Sequence, residues 1–169
     1  PFFPRLALPL PSALPTRVTP PGIAYAALPA IDAVLLTHNH SDHLDGPAVA
    51  RLWQAHQPLI VAPLGNDAIL RGYDETMHVE TRDWGESIDL GGGLTAHLPP
   101  ANHWPARGLN DRRLALWCAY VPTGPRGEPH HVRATCPRAR ALVRDIRHTF
   151  GPPRLPQRPT AVPDPRSLM

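Results

Sequence analysis

The sequence predicts an α/β domain in which strands outnumber helices, and three stretches carry that prediction. The apolar run Ile31-Asp32-Ala33-Val34-Leu35-Leu36 ends abruptly in Thr37-His38-Asn39-His40-Ser41-Asp42-His43. That is the pattern of a buried strand running into a polar loop. Just beyond it, Asp45-Gly46-Pro47 supplies helix-start chemistry, a carboxylate able to cap and a proline suited to the first turn. Further on, Leu94 to Leu98 alternates in polarity directly after Gly91-Gly92-Gly93, as a strand leaving a tight turn does.

Taken in order, residues 1 to 22 are punctuated by Pro4, Pro9, Pro11, Pro15, Pro20 and Pro21 and should run extended over the surface. Ile23 to Leu28 reads as a short helical turn that Pro29 ends. After the strand and loop, the helix opened by Asp45 spaces Val49, Leu52 and Trp53 toward the core. Pro58 to Pro63, with Leu59, Ile60 and Val61, is the next strand, and Asn66 to Arg71 a short helix. Met77 to Asp83 and Ser87 to Leu90 read as strands, and so does Arg112 to Val121 on the strength of Leu114, Leu116, Trp117 and Tyr120. Trp53, Trp84 and Trp117 are expected in the core. From Pro122 onward prolines and arginines crowd the chain, although Ala141 to Phe150 still reads as a helix closed by Gly151-Pro152-Pro153. The expected division is a lead-in over 1–22, a core over 23–121 and a disturbed continuation of the same domain over 122–169.

At 169 residues the chain fits one domain with a core of its own. The net charge is +3 and every basic residue is arginine, which suits phosphate recognition but also fits GC-rich coding. No basic run is dense enough to argue for nucleic acid. No stretch approaches the ~18 apolar residues of a membrane helix, and the start lacks a secretory signal's regions. Cys118 and Cys136 make neither a metal spacing nor a disulfide framework, so the default compartment is reducing and cytoplasmic, with at most peripheral membrane contact. Residue 1 is proline and the only methionines are Met77 and Met169, so the sequence reads as a fragment.

Chemistry concentrates in the loop after the first core strand. His38 and His40 are two residues apart, so in extended backbone their imidazoles project from one face and can grip a single ion. Asp42 and His43 follow a turn of the chain and can address a second ion. Zinc takes imidazole nitrogen and carboxylate oxygen in a tetrahedral shell, and a pair of such ions can clamp a phosphoryl or acyl centre. The competing reading is a histidine-rich surface loop without metal. Asp42 could orient or deprotonate a water, cap the following helix, or do both. Asp32 is either a turn residue or a group that orients an imidazole, while Asn39 and Ser41 shape the loop. His56, His78, His97, His130, His131 and His148 have no ligand spacing to this motif.

The strand followed by H-x-H-x-D-H and a helix resembles the metallo-β-lactamase superfamily. The segments Arg17 to Ile23, Pro63-Leu64-Gly65-Asn66, Asp83-Trp84-Gly85-Glu86-Ser87 and Pro100 to Gly108 narrow the likeness. They resemble the branch of N-acylphosphatidylethanolamine-hydrolysing phospholipase D, from about Arg17 to Val121. The resemblance implies an αβ/βα sandwich, here incomplete, with N-terminal strands and a C-terminal part missing. It implies His38, His40 and His103 on one zinc, and Asp42 and His43 on a second. His103, in Asn102-His103-Trp104 at a strand end, matches a ligand position of the family. Trp104 could wall the pocket. Arg107 and Asp111 could line the substrate cleft or form an ordinary surface ion pair.

The chain departs from the family where Val132-Arg133-Ala134-Thr135-Cys136 stands in place of a Gly-Asp-Thr-Gly segment, whose aspartate bridges the two metals. The last histidine ligand is also absent. Match and mismatch alternate beyond Val121 without a change in length, as compensating frameshifts would produce; resequencing the coding DNA tests that expectation. The expected activity is zinc-dependent hydrolysis of a phosphodiester in a small-molecule or phospholipid substrate. Two zincs belong to the intact family and one is expected here. The alternatives are a lactonase on the same metals and an inactive pseudo-enzyme fragment.

Overall fold

The computed structural model describes residues 22–41, 43–101, 103, 114–129 and 140–152. Its first half alternates strand and helix. A 3-10 turn, Tyr25–Ala27, precedes β1 (Ala33–Leu35), α1 (Gly46–His56), β2 (Leu59–Pro63), α2 (Asp67–Arg71) and β3 (Val79–Arg82). The strands form a parallel sheet in the order β1-β2-β3, with Val34 opposite Ile60 and Val61 opposite Glu80. Helical crossovers are what parallel neighbours require, so their carboxyl ends share one edge.

The second half is antiparallel. β4 (Ser87–Gly91), β5 (Leu94–His97) and β6 (Val121–Thr123) lie in that order. Gly92 and Gly93 join the first two at φ 61° and 77°, the backbone of a two-residue hairpin that side-chain-bearing residues resist. Gly93 is doubly constrained, because an added Cβ would lie 2.8 Å from the Pro125 ring. Pro122 sits within β6, opposite Ala96, and among the described residues β6 is the last strand of its sheet, a position where proline is tolerated. A third helix, α3 (Arg140–Phe150), ends at Gly151, whose φ of 80° and N–H to the Arg147 carbonyl close the last turn.

β2 shows how the layers stack. Ile60 and Ala62 join Leu36, Leu44, Leu70, Met77 and Val79 in a cluster against the helices. Val61 points the other way, into a cluster with Ile88, Ala96, Leu98, Cys118 and Tyr120 between the two sheets. The strand is therefore apolar on both faces, as a covered parallel strand must be. α1 begins as the sequence predicts: Asp45 accepts from the Ala48 N–H at 3.1 Å and Pro47 lies in the first turn. Leu52 is buried, with Val49 and Trp53 packed at the rim of the helix-side cluster.

Of the expected strand Arg112 to Val121, the described part, 114–121, is regular strand only at Val121, where β6 begins. The reason is where the backbone groups go. Leu116 N–H bonds to the Leu64 carbonyl, Cys118 N–H to Thr37 and Ala119 N–H to Pro99. Each is a single tie to a different loop instead of a rung on one neighbouring strand. Leu114 is 74% exposed, and Trp84, expected in the core, is 39% exposed. Its indole N–H meets the Trp117 carbonyl and its ring lies edge-on to Trp117, centroids 5.1 Å apart. Trp117 itself is half-buried. β1 is shorter than the apolar run, though Leu36 extends its pairing through an N–H to the Val61 carbonyl.

Candidate metal centre

β1 delivers Thr37, His38 and Asn39 into buried surroundings at the carboxyl edge of the parallel sheet. The chain then turns, with the N–H groups of His43 and Leu44 both bonded to the His40 carbonyl. From the other sheet, β5 runs through Leu98 to Ala101 and brings His103 to the same place. Two side chains beyond the histidines hold this meeting together. Tyr120 donates its hydroxyl to the carbonyls of Leu36 and Val61 at 3.0 and 3.1 Å, and Trp117 donates its indole N–H to the Ala101 carbonyl. With the Cys118 and Ala119 ties, segment 116–120 staples both histidine-bearing loops.

The result is a knot of imidazoles. The His38 ring lies 4.8 Å from His40, 4.3 Å from His43 and 4.3 Å from His103, centroid to centroid. His40 Nδ1 and His103 Nε2 face each other at 3.1 Å. One nitrogen from each of His38, His40 and His103 falls within 4.8 Å of the others. Burial, and then the neighbouring His43, His103 and His40, press the His38 pKa down to about 2, so its ring is neutral at physiological pH and offers a lone pair. Its Nδ1 sits 3.0 Å from the Thr37 hydroxyl, while its Nε2 is buried without a hydrogen-bond partner among the described residues.

These residues fit a metal ion. A buried nitrogen left unsatisfied costs about 1–3 kcal/mol, and a cation among the three rings removes that cost. Two nitrogens at tetrahedral zinc, each ~2.0–2.1 Å from the ion, lie ~3.3–3.4 Å apart, close to the His40–His103 separation of 3.1 Å. The His38 and His40 rings lie 4.8 Å apart, centroid to centroid.

The other sequence candidates divide. His43 is exposed beside His38 and stands outside the three-nitrogen group. Asp42, Asn102, Trp104, Arg107, Asp111, His130 and His131 lie outside the described residues, as do residues 1–21 and 132–136. Asp32 is exposed, and its carbonyl accepts from Leu59 N–H. The group beside His38 Nδ1 is the Thr37 hydroxyl, not Asp32. His78 pairs with Glu80 at 3.2 Å and His97 meets Thr123 at 3.1 Å, both away from the imidazole knot.

Three contributors were not foreseen as such. Thr37 was visible only as the first residue of the motif. Asn66, fully buried, donates to the carbonyls of Pro63 and Leu116 at 2.7 and 3.0 Å, tying the β2 loop to the stapling segment. Gly65 permits that approach: at φ 83° an added Cβ would come 2.9 Å from the Leu114 carbonyl. Among the described residues no helix is long and apolar enough to cross a membrane.

The chain is similar in sequence to known proteins. An uncharacterized protein of Mycobacterium tuberculosis is 39% identical over 113 residues, 66% of this chain and 30% of its own length. The N-acyl-phosphatidylethanolamine-hydrolyzing phospholipase D 1 of Caenorhabditis elegans is 32% identical over 118 residues, 65% of this chain and 33% of that protein. The chain thus spans about a third of the length of these curated relatives. The structure of Zn(2+)-bound PqqB from Methylobacterium extorquens matches with a TM-score of 0.45 and 19% identity, over 56% of this chain and 35% of that one. The sequence profile of the beta-lactamase superfamily domain matches residues 6–150, and with that span of agreement the chain belongs to the metallo-β-lactamase superfamily.

Proposed function

We propose that this chain carries the first metal site of a zinc-dependent hydrolase that cleaves phosphodiesters of the N-acylphosphatidylethanolamine type. The observation that carries the reading is the convergence of His38, His40 and His103 nitrogens within 4.8 Å on a site where the buried His38 Nε2 has no hydrogen-bond partner among the described residues. His38, through Nε2, His40, through Nδ1, and His103, through Nε2, hold the ion. Zinc held there supplies a Lewis acid that lowers the pKa of water and stabilises charge on a phosphoryl centre.

The chain's own residues do the rest. Asp42 accepts a proton from the attacking water, and the phosphorus–oxygen bond to the leaving group breaks as the new one forms. His43, beside His38, belongs to a second ion together with Asp42. Trp104 and Arg107 contact the substrate, Arg107 through its guanidinium on the phosphate. Likeness to phospholipases of this specificity in Caenorhabditis elegans and, at 28% identity, in Saccharomyces cerevisiae mitochondria supports the substrate class. Without a bridging aspartate at 132–136, the second site is the weaker one.

Elemental analysis of the purified chain, with His38→Ala and Asp42→Ala beside it, tests this. The expected result is about one zinc per chain by a four-coordinate first site, lost in His38→Ala and kept in Asp42→Ala. Two zincs would mean that another residue completes the second site. No zinc in folded protein would refute the reading. Release of phosphatidic acid from N-acylphosphatidylethanolamine, measured against ring opening of lactones, separates phosphodiesterase from lactonase. Zinc without hydrolysis of any ester would mark the loop as vestigial.

A further inference from the structure

We propose that Thr37 is a positioning residue whose hydroxyl accepts the Nδ1–H of His38 and thereby reserves Nε2 as the lone pair offered to the metal. The proposal rests on the metal-site reading above and adds what sets one ligand's tautomer. A neutral imidazole carries its proton on one nitrogen only, and the hydrogen bond made by one nitrogen decides the state of the other. At His38 the two nitrogens have opposite surroundings. Nδ1 is 3.0 Å from Thr37 Oγ1, and Nε2 is buried with no hydrogen-bond partner among the described residues.

A threonine hydroxyl can donate or accept, so the distance alone leaves the direction of this bond open. The far side of the ring decides it. Were the hydroxyl the donor, the imidazole proton would sit on Nε2, as a buried N–H with no acceptor within hydrogen-bond distance among the described residues. Were it the acceptor, Nε2 would present a bare lone pair, which a cation satisfies. Ligating histidines generally donate their second N–H to a carboxylate, a carbonyl or water; here a hydroxyl takes that place. Thr37 is also well fixed for the task. It is 9% exposed, and its carbonyl accepts from Cys118 N–H at 2.9 Å, so backbone and side chain are both held. Because the two residues are consecutive, His38 needs no distant loop to set its tautomer.

The test compares zinc affinity of the full chain in wild type, Thr37→Ser, Thr37→Val and His38→Ala, by competition with a chromophoric chelator. It adds the His38 tautomer in metal-free wild type from long-range proton–nitrogen correlation spectra. Losing the partner of a ligand costs ~10–100-fold in metal affinity, so Thr37→Val should weaken zinc by that factor while Thr37→Ser stays within about threefold of wild type. The metal-free wild type should show His38 protonated at Nδ1. Wild-type zinc affinity in Thr37→Val, or a proton on Nε2 in the metal-free wild type, would overturn the proposal and leave the metal site standing. A wild type that binds no zinc, or a His38→Ala variant that binds it as wild type does, would remove the metal site and the proposal together. If Thr37→Val does not fold, the wild-type tautomer decides by itself.

Discussion

Removing the hydroxyl of Tyr120 should loosen the joint between the two sheets at the point where the histidine loop leaves β1. The ring is 2% exposed, so Tyr120→Phe keeps the packing and deletes only the oxygen. That oxygen donates to Leu36 and Val61 carbonyls. Val61 retains a second donor, the Leu36 N–H at 2.9 Å, whereas the Leu36 carbonyl loses its Tyr120 donor. One buried acceptor left without a partner costs ~1–3 kcal/mol. For a chain of this size each kcal/mol lowers the melting temperature by ~2–4 °C, giving a fall of about 2–12 °C. Urea unfolding followed by circular dichroism measures the free energy, and a melting scan checks it. Tyr120→Leu should cost more, since it also empties part of the ring's site. A Tyr120→Phe midpoint within experimental scatter of wild type would show that the hydroxyl is not what joins the layers, and the stapling argument would fall with it.

Three further outcomes follow from other contacts. Asp45→Ala removes the α1 cap on Ala48 N–H and should cost about 1 kcal/mol in the same urea assay. Burial pushes the Cys118 thiol up to about 12. In a Cys136→Ser background the folded protein should therefore resist a thiol reagent at pH 8, and react at the rate of unfolding once urea is added. Burial holds His97 below its ordinary pKa, so the unfolded chain binds its proton more readily than the folded one. Stability from this residue is complete above the unfolded value of ~6.5 and declines as pH falls through it toward the lower folded value. Unfolding free energies between pH 7.5 and 5 should fall less steeply in His97→Gln than in wild type.

What the sequence made legible follows the range of the forces involved. The α1 start, the glycine hairpin and the α3 stop are set by atoms within four residues of one another, and Asp45, Gly93 and Gly151 each act where the local pattern placed them. β2 was legible for a different reason: its apolar residues are consecutive because it is covered on both faces. The two-residue spacing of His38 and His40 made them readable as a pair, whereas His103 needed the family likeness, since 63 residues separate it from His40.

The misreading of 112–121 shows where such inference stops. Leu114, Leu116, Trp117 and Tyr120 have the composition of a strand, but composition is silent about the partner of each backbone group. Here those partners belong to three loops, ending at Leu64, Thr37 and Pro99. A segment that ties several loops cannot repeat the even spacing of a ladder, so it has no period to read. The same non-local demand explains Trp84 and Trp117. Their indole N–H groups are spent on the carbonyls of Trp117 and Ala101, which holds the rings near the surface beside the His103 loop instead of within either apolar cluster. The histidine cluster thus draws on one local motif, but its assembly depends on a segment whose role only the folded chain displays.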